Sequence, residues 1–162
     1  MDPSLRLNSV RKCDAYRLTE LESSEDGWIM APFVAIIDDD VGIRNALHTL
    51  MRSASYRAEA FASAEAFVAS TEPPDCIITD ISMRGMSGLE LADFIRSKGC
   101  CVPIIMISAL PDEDLARKAI GVGARCLLRK PIESNALISL VEESIASHPL
   151  KPCSPAHADH LL

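Results

Sequence analysis

Phe33-Val34-Ala35-Ile36-Ile37 runs directly into Asp38-Asp39-Asp40. Five apolar residues, three of them β-branched, are too few for a buried helix and suit a buried strand. A strand that is apolar at every position has both faces covered, as in parallel sheets flanked by helices. Three consecutive carboxylates at its carboxyl end repel one another, so this end of the strand calls for a cation.

The chain on the far side of the acids continues the pattern. Ile43, Leu47, Leu50, Met51 and Ala54 follow at helical spacing, and Tyr56–Phe61 reads as a second strand. Ala64–Ser70 reads as a short helix with Ser63 as its N-cap, and Pro73-Pro74 punctuates. Cys76–Thr79 is a third apolar run, ending at Asp80. Leu91, Ala92 and Ile95 form a helical stripe that Gly99 stops. Val102–Ile107 is the fourth strand, and Pro111 with Asp112, Glu113 and Asp114 signals a helix start. Leu115, Ala119 and Val122 carry that helix, Arg125–Leu128 is the fifth strand, and Leu137, Leu140, Val141 and Ile145 give the last helix. Five β-α units predict an α/β fold, (βα)5, with a doubly wound parallel sheet and right-handed crossovers.

The flanks read differently. Residues 1–32 are polar with mixed charge and read as a flexible N-terminal extension; Leu18 and Leu21 support a short helix at most, and Met30 is an alternative start. Residues 148–162, with Pro149, Pro152 and Pro155, read as a flexible tail too short for a helix-turn-helix output domain. His148, His157, His160 and Cys153 lack a rigid frame there, so no zinc is expected.

Composition narrows the function classes. With 48% hydrophobic residues among 162, a core can form and wholesale disorder is excluded. A formal charge of −7 argues against direct nucleic-acid binding through phosphate neutralisation, and 4% aromatic residues argue against a base-stacking platform. No run approaches the roughly 18 apolar residues of a membrane span, and no signal core is present, so no membrane contact and a cytoplasmic location are expected. Six cysteines show no CxxC spacing; Cys76 and Cys126 fall in strands and read as buried thiols, and Cys100-Cys101 reads as packing.

In an open parallel sheet, ligands bind beyond the carboxyl ends of the strands. Those ends carry Asp38-Asp39-Asp40, Asp80, Ser108-Ala109 and Arg129-Lys130-Pro131, with nothing comparable after the second strand. Clustered carboxylates with oxygen-only donors suit Mg²⁺. A carboxylate beside such a metal can accept a phosphoryl group as an acyl phosphate, and Ser108 and Lys130 can contact the phosphoryl oxygens.

Residues 33–147 resemble the receiver domain of bacterial response regulators, the CheY-like superfamily of two-component signalling. The resemblance rests on Ile36-Ile37-Asp38-Asp39-Asp40, on Ile77-Ile78-Thr79-Asp80 followed by Met83, Met86, Ser87 and Gly88, on Ile107-Ser108-Ala109, and on Lys130-Pro131. It implies a flavodoxin-like strand order 2-1-3-4-5 and a cis bond before Pro131. It implies Asp80 as phosphoacceptor, and Asp38, Asp39, Asp80 and the Ser82 backbone carbonyl as Mg²⁺ ligands. Ser108 and Lys130 would bind the phosphoryl group, and Asp40 would not touch the ion. The implied partners are a sensor histidine kinase and an unknown downstream protein, with a homodimer as one form of output. The implied role is a stand-alone receiver or phosphate sink, with no enzymatic action beyond its own phosphorylation and dephosphorylation.

Two positions depart from the family pattern. Arg84 follows Met83 where proline is usual, and Leu127 stands three residues before Lys130 where Tyr or Phe is common. The aromatic rotamer switch is therefore missing. Taken alone, Arg84 is a solvated loop charge, Leu127 a core residue and His48 a helix-surface residue. The alternative is a haloacid-dehalogenase-type phosphatase with Asp38 as nucleophile and Asp40 as second acid; against it, Val41-Gly42 replaces the usual Gly-Thr continuation and a cap domain has no room. A flavin carrier lacks a phosphate-cradling loop after the first strand.

Overall fold

In the computed structural model, which describes residues 31–148, the apolar runs form five parallel strands. They are β1 (Phe33–Ile37), β2 (Arg57–Phe61), β3 (Cys76–Asp80), β4 (Ile104–Ser108) and β5 (Cys126–Arg129). Helices α1 (Val41–Ser53), α2 (Ala64–Val68), α3 (Gly88–Ser97), α4 (Glu113–Gly121) and α5 (Ser134–Ser147) alternate with them. The sheet order is β2-β1-β3-β4-β5, the flavodoxin-like order. Met30, Leu18, Leu21, Cys153, His157 and His160 lie outside the described residues.

Successive side chains of a strand point to opposite faces, and the core divides accordingly. Val34, Ile36, Cys76, Ile78, Ile105 and Ile107 pack with Leu47 and Met51 of α1 and Leu137 and Val141 of α5. Ala35, Ile37, Ile77, Ile104 and Met106 pack with Phe67 of α2, Leu91 and Ile95 of α3 and Ala119 of α4. β1, β3 and β4 are buried at every position, as continuous apolar runs require. Asp38, Asp80 and Lys130 share the sequence parity of the first set along their strands.

Local signals set the helix ends. Asp40, Ser63, Ser87 and Asp112 each accept a backbone N–H of the first turn, and Ser87 with Glu90 forms a reciprocal capping box. Several boundaries differ from the sequence reading. Pro111 precedes the cap Asp112 instead of opening the helix. α2 ends at Val68, β4 begins at Ile104, and β5 is Cys126–Arg129. Pro103 has no N–H to give to a ladder, but its carbonyl accepts from Ile77 N at 2.9 Å. The N-cap of α5 is Glu133, accepting from Asn135 N and Ala136 N. At the flanks, the carbonyls of Ala31 and Pro32 accept from Arg57 Nε and N at 3.1 and 2.9 Å.

Candidate functional site

Register brings the acids together. Ile37 of β1 pairs with Thr79 of β3, so Asp38 and Asp80 follow side by side at the carboxyl edge. Asp38 is 1% exposed and Asp80 6%, whereas Asp39 is exposed. One carboxylate oxygen from each of Asp38, Asp39 and Asp80 lies within 4.8 Å of the other two. Asp40 stands apart and caps α1, accepting from Ile43 N at 3.0 Å.

Lys130 arrives from the end of β5, with the bond to Pro131 cis. Its Nζ lies 3.3 Å from Asp38 Oδ2 and 3.4 Å from Asp80 Oδ1. Three carboxylates then face one ammonium, a formal excess of two negative charges. The donor set is all oxygen and short of positive charge, which fits a hard divalent cation such as Mg²⁺.

Burial, then the neighbouring Asp38 carboxylate, pushes the Asp80 carboxyl above its ordinary value; Lys130 opposes the rise and Asp39 adds to it. For Lys130, burial pulls the ammonium down, but Asp80 and Asp38 together outweigh it and the net shift is upward. Both directions describe a crowded anionic pocket whose resident cation is held firmly.

Ser108 is buried at the end of β4, its Oγ accepting from Leu110 N at 3.3 Å. It is not the helix cap, a role taken by Asp112. Ser82 is exposed in the loop directly after Asp80 and Ile81. Leu127 packs half-buried against the α2–α4 side of the core. His48 is half-buried instead of on the open helix surface, its Nε2 3.2 Å from the Ala58 carbonyl. Cys76 is buried as read, Cys126 only half-buried, and Cys101 exposed while Cys100 is buried.

Arg44 and Glu65 escaped sequence reasoning, and Gly88 was read there only as part of the loop motif. Arg44 donates from Nη1 to the Asp38 carbonyl at 2.7 Å and holds the acidic turn. Glu65 of α2 accepts from Met86 N at 2.7 Å. Gly88 opens α3 against the end of β3: a Cβ there would overlap the Asp80 carbonyl oxygen and stand 3.0 Å from Ile81 Cα. The Gly88 signal was present in the Met-Ser-Gly stretch; the other two contacts carry no sequence signature.

Residues 34–142 match the family described as the response regulator receiver domain. The chain belongs to that family. The receiver is 36% identical over 114 residues to the transcriptional regulatory protein FixJ of Azorhizobium caulinodans, covering 69% of this chain and 54% of that protein. It is 33% identical over 121 residues to the response regulator protein TodT of Pseudomonas putida, covering 74% of this chain and 53% of TodT. Among solved structures it resembles the response regulator StyR, with a TM-score of 0.67 and 33% identity over 74% of this chain and 61% of that one. The FixJ-N structure gives a TM-score of 0.67 at 28% identity, covering 74% of this chain and 97% of that one. The chain spans about half the length of the curated relatives it matches. A receiver implies a cognate histidine kinase and is generally non-catalytic apart from its own phosphorylation chemistry. Among the described residues, no helix is long and apolar enough to cross a membrane.

Proposed function

We propose that the receiver accepts a phosphoryl group on Asp80 from a sensor histidine kinase, in a Mg²⁺-dependent reaction in the cytoplasm. The observation that carries this is the convergence of Asp38, Asp39 and Asp80 within 4.8 Å, with Lys130 Nζ against two of them. Asp38, Asp39, Asp80 and the Ser82 backbone carbonyl would hold the ion. When bound, Mg²⁺ supplies positive charge to the oxygens of the transferring group.

The chain's own groups do the rest. A carboxylate oxygen of Asp80 attacks phosphorus; the P–O bond forms as the P–N bond to the donor imidazole breaks, and the nitrogen keeps the electron pair. Lys130 exchanges its contact with Asp80 for a phosphoryl oxygen, and the Ser108 hydroxyl donates to another. Water later attacks phosphorus; a new P–O bond forms as the P–O bond to Asp80 breaks, inorganic phosphate leaves, and Asp80 returns to the free carboxylate. The phosphorylated receiver changes its contact with a downstream protein, by dimerising or by binding a different partner, or serves as a phosphate sink.

The phosphatase alternative, with Asp38 as nucleophile, finds no support. Asp38 accepts from Asp40 N at 2.9 Å and from Lys130, is 1% exposed, and sits in a chain of the receiver family.

Intact-protein mass after incubation with acetyl phosphate tests the proposal. A single phosphoryl adduct that needs Mg²⁺ and is lost in Asp80→Asn is the expected result. An adduct that persists in the variant, or none in a folded wild type, would overturn it.

A further inference from the structure

The loop of residues 81–87, which carries the Ser82 carbonyl, is fastened by carboxylates. Met86 N donates to Glu65 Oε1 at 2.7 Å, across 21 residues of sequence. Arg84 N donates to Asp39 Oδ2 at 3.3 Å. Ser87 N donates to Glu90 Oε2 at 2.8 Å, and Gly88 N closes onto the Ile81 carbonyl at 3.0 Å. Between the first two bonds, Gly85 has φ +76°, a conformation that favours glycine, and a Cβ there would come 2.6 Å from Glu65 Oε1. Glycine therefore makes both the turn and the room for the Glu65 carboxylate. The Met86 N–H, foremost, holds the Glu65 carboxyl below its ordinary value.

Asp38 and Asp80 are buried and held by Lys130, but Asp39 is exposed and is held by the Arg84 N–H. A proline at 84, usual in the family, would have no N–H to give.

We propose that Glu65 is a positioning residue of the metal pocket: it anchors Met86 so that the loop presents the Arg84 N–H to Asp39 and orients that carboxylate. Glu65 touches neither the ion nor the acceptor. It acts through the backbone of a loop whose Met83 and Met86 side chains also pack against the core, and the inference rests on the Mg²⁺ reading of the pocket. Partners that orient a ligating carboxylate commonly change metal affinity by about 10–100-fold. Glu65 works one step further out, so a smaller effect is expected.

The test is Mg²⁺ affinity of the full chain by isothermal titration calorimetry, with urea unfolding in EDTA to compare the folds. Glu65→Ala and Arg84→Pro are expected to weaken Mg²⁺ binding about 3- to 10-fold. Glu65→Gln, which keeps a carbonyl acceptor, and Arg84→Ala, which keeps the N–H, are expected to stay within about twofold of wild type. Unchanged affinity in Glu65→Ala overturns the inference and leaves the metal reading standing. A Glu65→Gln as weak as Glu65→Ala also overturns it, because charge and not the anchored loop would be responsible. A wild type that binds no Mg²⁺ overturns the metal reading itself and the inference with it.

Discussion

Replacing Lys130 by methionine keeps the stem and removes the charge, which isolates what the ammonium does in the pocket. Its Nζ lies 3.3 Å from Asp38 and 3.4 Å from Asp80. At an effective dielectric of about 20, each pair attracts by about 5 kcal/mol before desolvation is subtracted. Breaking a buried pair commonly costs about 3–5 kcal/mol in practice. The Lys130 side chain is 18% exposed and the Asp39 side of the pocket is open, so screening places the expected loss lower. We expect Lys130→Met to lose about 2–3 kcal/mol without metal. The net upward shift of Lys130 from 10.5 fixes the pH window: the contribution is complete below that value and is lost as pH rises through the raised one. Mg²⁺ should replace the missing positive charge and narrow the difference to under about 1 kcal/mol. Urea midpoints in EDTA and in saturating MgCl₂, with unchanged m, measure both values. Equal losses in the two conditions, or no loss in EDTA, would refute the charge-balance reasoning. Phosphorylation should fall sharply in the variant under either condition.

Asp80→Asn should stabilise the metal-free protein at neutral pH. The folded state binds the Asp80 proton more tightly than the unfolded state does, so the ionised group opposes folding above its raised value. That penalty shrinks as pH falls through the raised value and is gone below the ordinary 3.8, so urea midpoints of variant and wild type should converge there. Gly88→Ala should cost at least about 1–3 kcal/mol in urea unfolding, because its Cβ meets backbone and not a side chain that can move. Acetyl phosphate labelling should fall with it, since the displaced atom is the Asp80 carbonyl. Burial pushes the Cys76 thiol up to about 12. Iodoacetamide followed by peptide mapping should find Cys101 alkylated in the native protein and Cys76 only after unfolding; early labelling of Cys76 would contradict its burial.

The amino-acid sequence already determined the class of fold, because its signals are local. Apolar runs such as Phe33–Ile37 suit strands buried on both faces, and the helical stripes alternating with them supply the cover of a parallel sheet. Asp38, Asp80, Ser108 and Lys130 were legible as a group because each ends a strand, and parallel strands share one carboxyl edge. Element ends were less legible. Arg125 N bonds the Ile104 carbonyl at 2.8 Å ahead of β5, and the pairing partner, not the apolar run, sets where a strand begins.

Tertiary structure alone decided how the acids are divided and supported. Asp38, Asp39 and Asp40 are chemically identical neighbours, yet one is buried against Lys130, one is exposed beside Arg84 N, and one caps a helix. The Glu65–Met86 bond depends on where α2 lies against the β3–α3 loop, and Arg44 reaches Asp38 through the way α1 leaves the acidic turn. The Glu65–Met86, Asp39–Arg84 and Lys130–Asp38 contacts depend on distances between elements remote in sequence. No periodicity or spacing encodes them, whereas strand-end chemistry follows from the parallel topology itself.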